Sequence, residues 1–182
     1  MSDRPLCVLL VDDDPEDALI VRRLLEKATV QRFEVTPRTD YASGLEALYS
    51  GDYHACLLDY RLGRDSGLDF LREAAATVPD VPVVMLTGQG DESVDLAAME
   101  AGAVDYLVKG ELTTALLERT LRYAVRQADT MRALSASEAR FRSLTDGSPA
   151  LTWIHEVGDE EAFFSGSWLT FTGHGSQAGL GA

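Results

Sequence analysis

The chain has 182 residues, of which 46% are hydrophobic and 25% are charged, a balance typical of a folded globular domain and not of a disordered chain. Thirty acidic residues outnumber sixteen basic ones, and the net charge of −14 argues against direct binding to nucleic acid, whose phosphates attract basic surfaces. The early apolar run Leu6–Val11 is too short for a membrane span or a signal peptide, so we expect a cytoplasmic protein with no membrane partner.

Strand-like and helix-like segments alternate five times along the first 128 residues. The predicted strands are Pro5–Val11, Phe33–Thr36, His54–Asp59, Pro82–Thr87 and Ala103–Lys109. The predicted helices are a first one that starts after Asp14, then Tyr41–Leu48, Gly67–Ala76, Ser93–Ala101 and Thr113–Arg126. This alternation predicts an α/β fold, a doubly wound, five-stranded parallel sheet with helices on both faces and its ligand site at the carboxyl ends of the strands.

Polar side chains stand at four of these strand ends: Asp12–Asp14, Asp59, Thr87 and Lys109. Close carboxylates near a protein surface repel by up to about 4 kcal/mol, and one lysine cannot neutralise the whole cluster. Either one carboxyl keeps its proton or a divalent cation binds, and an all-oxygen site suits Mg²⁺ better than zinc. A carboxylate beside Mg²⁺ can attack a phosphoryl group, with the lysine and the threonine hydroxyl stabilising the transferred oxygens.

Three acidic residues near the start of the first helix have a structural interpretation and no predicted role in this chemistry. We interpret Asp14, Glu16 and Asp17 as charges at the start of the first helix that complement its dipole.

Four segments in this order resemble the receiver domain of two-component response regulators. The resemblance covers about residues 1–128 and rests on VLLVDDDPEDALIVRRLL, HACLLDYRLGRDSGLDFLR, PVVMLTG and AGAVDYLVKG. It implies a flavodoxin-like sheet with strand order 2-1-3-4-5. It also implies phosphorelay signalling, in which a sensor histidine kinase or a phosphotransfer protein supplies the phosphoryl group and no external substrate is turned over.

The resemblance also implies a role for each matching residue. Asp59 is the expected phosphoacceptor, and Lys109 is expected to pair with the phosphoryl group. Asp13 is expected to bind Mg²⁺ directly, Asp12 to help through water, and the backbone carbonyl of Arg61 to complete the protein ligands, with Asp59 itself also at the metal.

Two further residues are expected to form the switch, and one position departs from the family pattern. Thr87 is the expected switch hydroxyl, and Tyr106 is the aromatic residue expected to change its exposure when Thr87 moves. The family usually has proline after the lysine, whereas Gly110 follows Lys109 here. Glycine permits a wider range of backbone angles, so we expect Lys109 to be held less rigidly.

The fifth helix is predicted to continue past the receiver-like region as a linker over residues 129–144. No proline or glycine occurs between Thr113 and Leu144. Leu117, Leu121, Ala124, Ala128 and Met131 follow a 4-3-4-3 spacing, which is typical of a two-stranded coiled coil and hence of a homodimer through the 113–144 helix. A single solvated linker helix is the alternative.

The resemblance to the opening of a PAS sensor domain begins near the end of the linker helix, and the predicted PAS-like fragment covers residues 145–182. The resemblance rests on SEARFRSLTDGSPALTWIHE and AFFSGSWLTFTG, with a first strand at Trp153, a second at Ala162–Ser165 and a helix at Trp168–Phe171. These residues cover about a third of a PAS fold, so we expect a truncated fragment without a ligand pocket.

Two other functions fit parts of the same pattern. Haloacid-dehalogenase-like phosphatases use a DxD motif after the first strand, which Asp12 and Asp14 supply, although Pro15 follows and Asp59 is then unexplained. A docking domain that keeps the fold without being phosphorylated is the third hypothesis.

Overall fold

The structure, a computed structural model, describes residues 4–88, 92–146, 153–155, 162–164 and 166–172. The chain divides into two compact units, residues 1–130 and 131–182. The elements of the first unit, in chain order, are β1 Leu6–Val11, α1 Pro15–Glu26, β2 Phe33–Arg38, α2 Tyr41–Ser50, β3 Ala55–Asp59, β4 Arg61–Leu62, β5 Asp65–Ser66, α3 Gly67–Thr77, β6 Val83–Thr87, α4 Glu92–Glu100, β7 Asp105–Val108 and the start of α5 Thr114–Asp146.

Five strands form one parallel sheet in the order β2-β1-β3-β6-β7. This confirms the predicted order 2-1-3-4-5, since the two-residue strands β4 and β5 pair only with each other, in a separate antiparallel hairpin. Of the described helices, none combines the length and the apolar composition that crossing a membrane requires.

Alternate residues of the central strands point to opposite faces of the sheet. In β1, Leu9 and Val11 join a buried cluster with residues of α2 and α3, whereas Val8 and Leu10 join a second cluster with residues of α1 and α5. All four side chains are fully buried. The continuous apolar strands are therefore explained by helices that cover both faces, as in other doubly wound folds.

The helix α5 corrects one prediction. It runs as one helix from Thr114 to Asp146, but Leu117, Leu121 and Ala124 pack in the core of their own sheet. These side chains cannot also form the seam of a coiled coil with another copy of the chain. An intermolecular seam is therefore restricted to the C-terminal part of α5, where Met131 and Leu134 are exposed.

A buried carboxylate on α5 holds the loop between α1 and β2. The Glu118 Oε1 atom accepts hydrogen bonds from the backbone N–H groups of Val30 at 2.8 Å and Gln31 at 2.6 Å. Glu118→Ala leaves both donors without this partner, and we expect a loss of about 1–3 kcal/mol in the free energy of unfolding, measured by urea denaturation.

Two control variants separate this bond from charge effects. Glu118→Gln keeps an acceptor oxygen and should lose less stability than the alanine variant, while Glu111→Ala, at an exposed position, should be nearly neutral. Equal stability of Glu118→Ala and the wild-type protein would rule out this role for the carboxylate.

The described part of the second unit contains the C-terminal part of α5, two short strands and a short helix. The strands β8 Trp153–His155 and β9 Ala162–Phe164 pair antiparallel, and α6 covers Gly166–Thr172. These elements lie where the sequence predicted them, except that Ser165 lies outside the described residues.

Candidate functional site

Two adjacent strands place three carboxylates at one edge of the sheet. Asp12 and Asp13 follow β1 directly, Asp59 is the last residue of β3, and the two strands pair in parallel with Val11 beside Leu58. Oxygen atoms of Asp12, Asp13 and Asp59 all lie within 4.8 Å of one another. The structure thus brings together the three acidic residues that the sequence singled out.

Lys109 lies among these carboxylates. Its Nζ atom is 2.8 Å from Asp12 Oδ2 and 3.1 Å from Asp59 Oδ1. A third carboxylate also binds it, because Asp17 Oδ2 lies 2.8 Å away on the other side. The three N–H bonds of the ammonium group therefore have three acidic neighbours.

Asp17 is the residue that the sequence interpretation missed. It was assigned only a helix-dipole role, but its side chain contacts Lys109 across 92 positions of the sequence. Asp14, three residues earlier, lies at the start of the helix as expected, where it caps α1: its Oδ1 atom accepts hydrogen bonds from the N–H groups of Glu16 and Asp17. The position of Asp17 in the first turn of a helix that begins at the strand end is the signal that could have revealed it.

The secondary structure at Lys109 differs slightly from the prediction, in which Lys109 is the last residue of the fifth strand. The strand β7 ends at Val108, and Lys109 begins a 3-10 turn, Lys109–Glu111. From this turn the lysine side chain reaches the carboxylates of Asp12 and Asp59. Gly110 was expected to loosen this residue, yet the ammonium group contacts three carboxylates, and the described peptide bonds are all trans.

Two glycines in the segment after β3 shape the site. Gly63 has φ +64°, a conformation that favours glycine, and its N–H donates a 3.0 Å hydrogen bond to Asp13 Oδ2. A Cβ atom on Gly67 would collide with the carbonyl oxygen of Asp59. Both glycines therefore permit the close approach of this segment to the acidic residues, and neither was identified from the sequence.

Burial and mutual repulsion change the pKa values of the cluster. Burial, with help from the charges of Asp12 and Asp13, raises the pKa of Asp59 to about 6, against the opposing effect of Lys109. Burial also raises the pKa of Asp12, although its contacts with Lys109 and the Asp14 N–H oppose this. For Lys109 burial alone would lower the pKa, but the close carboxylates of Asp12 and Asp17 and the charge of Asp59 raise it above its ordinary value.

The residues fit a divalent cation. Asp12 Oδ2 is buried and accepts no hydrogen bond of good geometry, although the Lys109 ammonium lies 2.8 Å away. One lysine faces the three clustered carboxylates and also Asp17, so negative charge remains in excess. Among the described residues this group consists of three carboxylates and no thiolate or imidazole, a set that suits a hard, oxygen-binding cation.

The remaining predicted residues lie at or near the same edge. Thr87 is buried at the end of β6, one strand from Asp59, which pairs with Leu86. Tyr106 is half-buried in β7 and packs against the core cluster on the α2 and α3 face. Arg61 begins the hairpin strand β4, two residues after Asp59, with an exposed side chain.

The geometry does not favour the phosphatase hypothesis. In that scheme Asp12 is the nucleophile and Asp14 the second carboxylate. Here Asp12 is fully buried, with Oδ1 accepting the Asp14 N–H at 3.0 Å and Oδ2 beside Lys109. The Asp14 side chain instead caps the helix.

Comparisons with known proteins agree on one family. The profile described as the response regulator receiver domain matches residues 8–121. The alginate biosynthesis transcriptional regulatory protein AlgB of Pseudomonas aeruginosa is 33% identical over 183 residues, which cover 98% of this chain and 40% of AlgB. The phosphate regulon transcriptional regulatory protein PhoB of Klebsiella pneumoniae is 32% identical over 151 residues, which cover 78% of this chain and 65% of PhoB.

A solved structure supports the same comparison. The crystal structure of a putative response regulator from Chloroflexus aurantiacus superposes with a TM-score of 0.62 at 28% identity, covering 68% of this chain and 99% of that one. The chain therefore spans nearly all of the solved domain but only part of the length of AlgB and PhoB.

Proposed function

The chain belongs to the response regulator receiver domain family, and from this membership we propose that it is a phosphorelay module that is phosphorylated on Asp59. Members of this family act as signalling switches and not as turnover enzymes. The observation that carries the proposal is the meeting of Asp12, Asp13 and Asp59 with Lys109 at one strand edge. The donor is a sensor histidine kinase or a phosphotransfer protein.

In this proposal the chain's own residues prepare the attack. An Asp59 carboxylate oxygen attacks the phosphorus of a phosphohistidine, the P–N bond breaks, and the imidazole of the donor leaves. Lys109, 3.1 Å from Asp59 Oδ1, is placed to move its contact from the carboxylate to an oxygen of the incoming phosphoryl group. Water later hydrolyses the aspartyl phosphate, which releases inorganic phosphate and restores the Asp59 carboxylate.

Asp17 acts here as a positioning residue. It binds Lys109 at 2.8 Å but does not belong to the group of three carboxylates that could hold a metal ion. Asp17 can therefore keep the ammonium group at the strand end while Asp59 changes from a carboxylate to a phosphorylated group.

Mg²⁺ is the cation that we propose for the acidic cluster. Asp12, Asp13 and Asp59 would hold it, together with the backbone carbonyl of Arg61. When bound, the ion supplies positive charge that stabilises the oxygens of the phosphoryl group.

Mg²⁺ should stabilise the folded protein. At a Mg²⁺ concentration ten times its Kd we expect a gain of about 1.4 kcal/mol in the free energy of unfolding, because the ion binds only the folded state. Asp13→Asn should lose most of this gain, while Asp65→Asn, in the exposed part of the hairpin, should keep it. Thermal unfolding with and without Mg²⁺ measures the effect, and an equal gain in Asp13→Asn would contradict the assignment.

Thr87 and Tyr106 are proposed to transmit the phosphorylation signal. Thr87 is buried at the neighbouring strand end, and Tyr106 lies on β7, two residues before Val108, which pairs with Thr87. A hydrogen bond from the Thr87 hydroxyl to the phosphoryl group would move this residue, and Tyr106 would follow. The change would alter the surface made by α4, β7 and α5.

The C-terminal half of α5 is the proposed route to a dimer. Met131 is 63% exposed and Leu134 is 54% exposed, so this part of the helix offers an apolar surface to a second copy. We propose a receiver domain over 1–128, a linker helix over 129–144 and the start of a PAS domain over 145–182. The prediction that these 182 residues do not bind nucleic acid still rests on their net charge of −14.

A further inference from the structure

A cavity of about 440 Å³ lies beside β1, where α5 passes the start of the strand. Leu6, the first residue of β1, lines it, whereas Asp12 follows the last residue of the same strand. Six residues of extended chain span about 20 Å, so the cavity and the acidic site lie at opposite ends of the sheet. The proposed phosphorylation therefore does not involve this cavity.

Three arginines of α5 line the cavity: Arg119, Arg122 and Arg126. Their spacing of three and four residues places them on one face of the helix, where like charges repel. All three are exposed, and none forms an ion pair with any residue in the part of the chain that the structure describes. In a chain of net charge −14, an unneutralised basic face is unusual.

The acidic residues nearby do not balance these charges. Glu118 precedes the first arginine, but its Oε1 atom is bound to the N–H groups of Val30 and Gln31. Asp129 is the single carboxylate among the described residues that line the cavity. The lining thus carries three positive charges against one negative charge.

The wall opposite α5 is preformed. Gln31 lines the cavity, and its Nε2 atom donates hydrogen bonds of 3.0 Å to the carbonyl oxygens of both Arg4 and Arg32. The Gln31 N–H is in turn tied to Glu118 on α5. These hydrogen bonds hold Gln31 in place on its side of the cavity.

We propose that this cavity binds a nucleoside diphosphate or triphosphate. Arginine forms bidentate, charge-assisted hydrogen bonds with phosphate, and the three arginines span about 10 Å along the helix. Tyr123, 65% exposed between them, offers an aromatic face for a base, and Leu6 and Val125 give apolar surface. A volume of about 440 Å³ lies within the usual range of small-ligand sites.

Calorimetric titration with ATP, ADP and inorganic tripolyphosphate tests this proposal. The full-length chain carries Asp59→Asn and the buffer contains EDTA, so neither phosphorylation nor a metal ion contributes to binding. We expect the double variant Arg122→Gln/Arg126→Gln to bind ATP about 100-fold more weakly. The matched double variant Arg22→Gln/Arg23→Gln, which changes two exposed arginines on α1, should bind ATP like the parent chain.

Tyr123→Leu tests the contribution of the base. It should weaken ATP binding several-fold and leave tripolyphosphate binding unchanged. Absence of ATP binding at millimolar concentration, or equal ATP binding by the Arg122→Gln/Arg126→Gln variant, would overturn the proposal. Tripolyphosphate binding as tight as that of ATP would overturn the nucleoside assignment. None of these results depends on phosphorylation of Asp59.

Discussion

In metal-free buffer at pH 7, Asp59→Asn is expected to raise the free energy of unfolding by about 2–3 kcal/mol. Burial and the neighbouring carboxylates raise the pKa of Asp59 to about 6 from an ordinary value of 3.8. Each pKa unit corresponds to about 1.36 kcal/mol. A shift from 3.8 to about 6 therefore means that the ionised carboxylate lowers the stability of the folded state by about 2–3 kcal/mol. Asparagine has a similar shape and no charge.

The sign of this effect depends on pH. A raised folded-state pKa means that the folded protein binds its proton more tightly than the unfolded chain does. The stability that Asp59 contributes in its protonated form is complete below pH 3.8 and is lost as the pH rises through about 6. The difference between Asp59→Asn and the wild-type protein should therefore be large at pH 7 and small at pH 3.8 or below.

Urea denaturation of both proteins at these two pH values, in the presence of EDTA, measures the difference. Asp52→Asn, which removes an exposed carboxylate after α2, should change stability little at either pH. An Asp59→Asn protein that is no more stable than the wild type at pH 7 would show that the carboxylate is not strained by its surroundings.

Lys109→Gln is expected to slow phosphate incorporation from a small phospho-donor by about 100-fold. Lys109 is the cation that the structure places against Asp59, and removal of one such stabilising donor costs about 2.7–4 kcal/mol in other active sites. The rate is measured as the appearance of protein-bound phosphate over time.

The sequence offers a matched control for this experiment. Lys27, exposed at the end of α1, is the chain's other lysine, so Lys27→Gln removes the same charge away from the site. It should leave the rate unchanged. Equal rates for Lys109→Gln and the wild-type protein would remove Lys109 from the proposed mechanism.

The sheet and most of the site could be predicted because both follow from the residue types within each strand and at its end. Continuous apolar strands such as β3 indicate burial on both faces, and parallel strands bring their terminal residues to one edge. Asp12, Asp13, Asp59 and Lys109 could therefore be placed together from the sequence, and the structure confirms their proximity.

Other features could not be predicted because they depend on contacts between residues that are far apart in the sequence. The contact of Asp17 with Lys109 follows from how the first turn of α1 faces a turn after β7. The 4-3 spacing of Leu117, Leu121 and Ala124 is equally compatible with packing on a sheet and with a coiled coil, and only the fold shows which surface covers them. Gly63 was missed because neither its φ of +64° nor the contact of its N–H with Asp13 follows from the pattern of residue types.

The most direct test of the account is the position of the phosphate. The wild-type chain is incubated with acetyl phosphate and Mg²⁺, and the acid-stable, base-labile label is mapped by peptide mass spectrometry. We expect one phosphate on Asp59 that requires Mg²⁺ and is absent from Asp59→Asn, with Asp52→Asn labelled normally. Undiminished labelling of Asp59→Asn, or phosphomonoester turnover that requires Asp12 and not Asp59, would contradict the account.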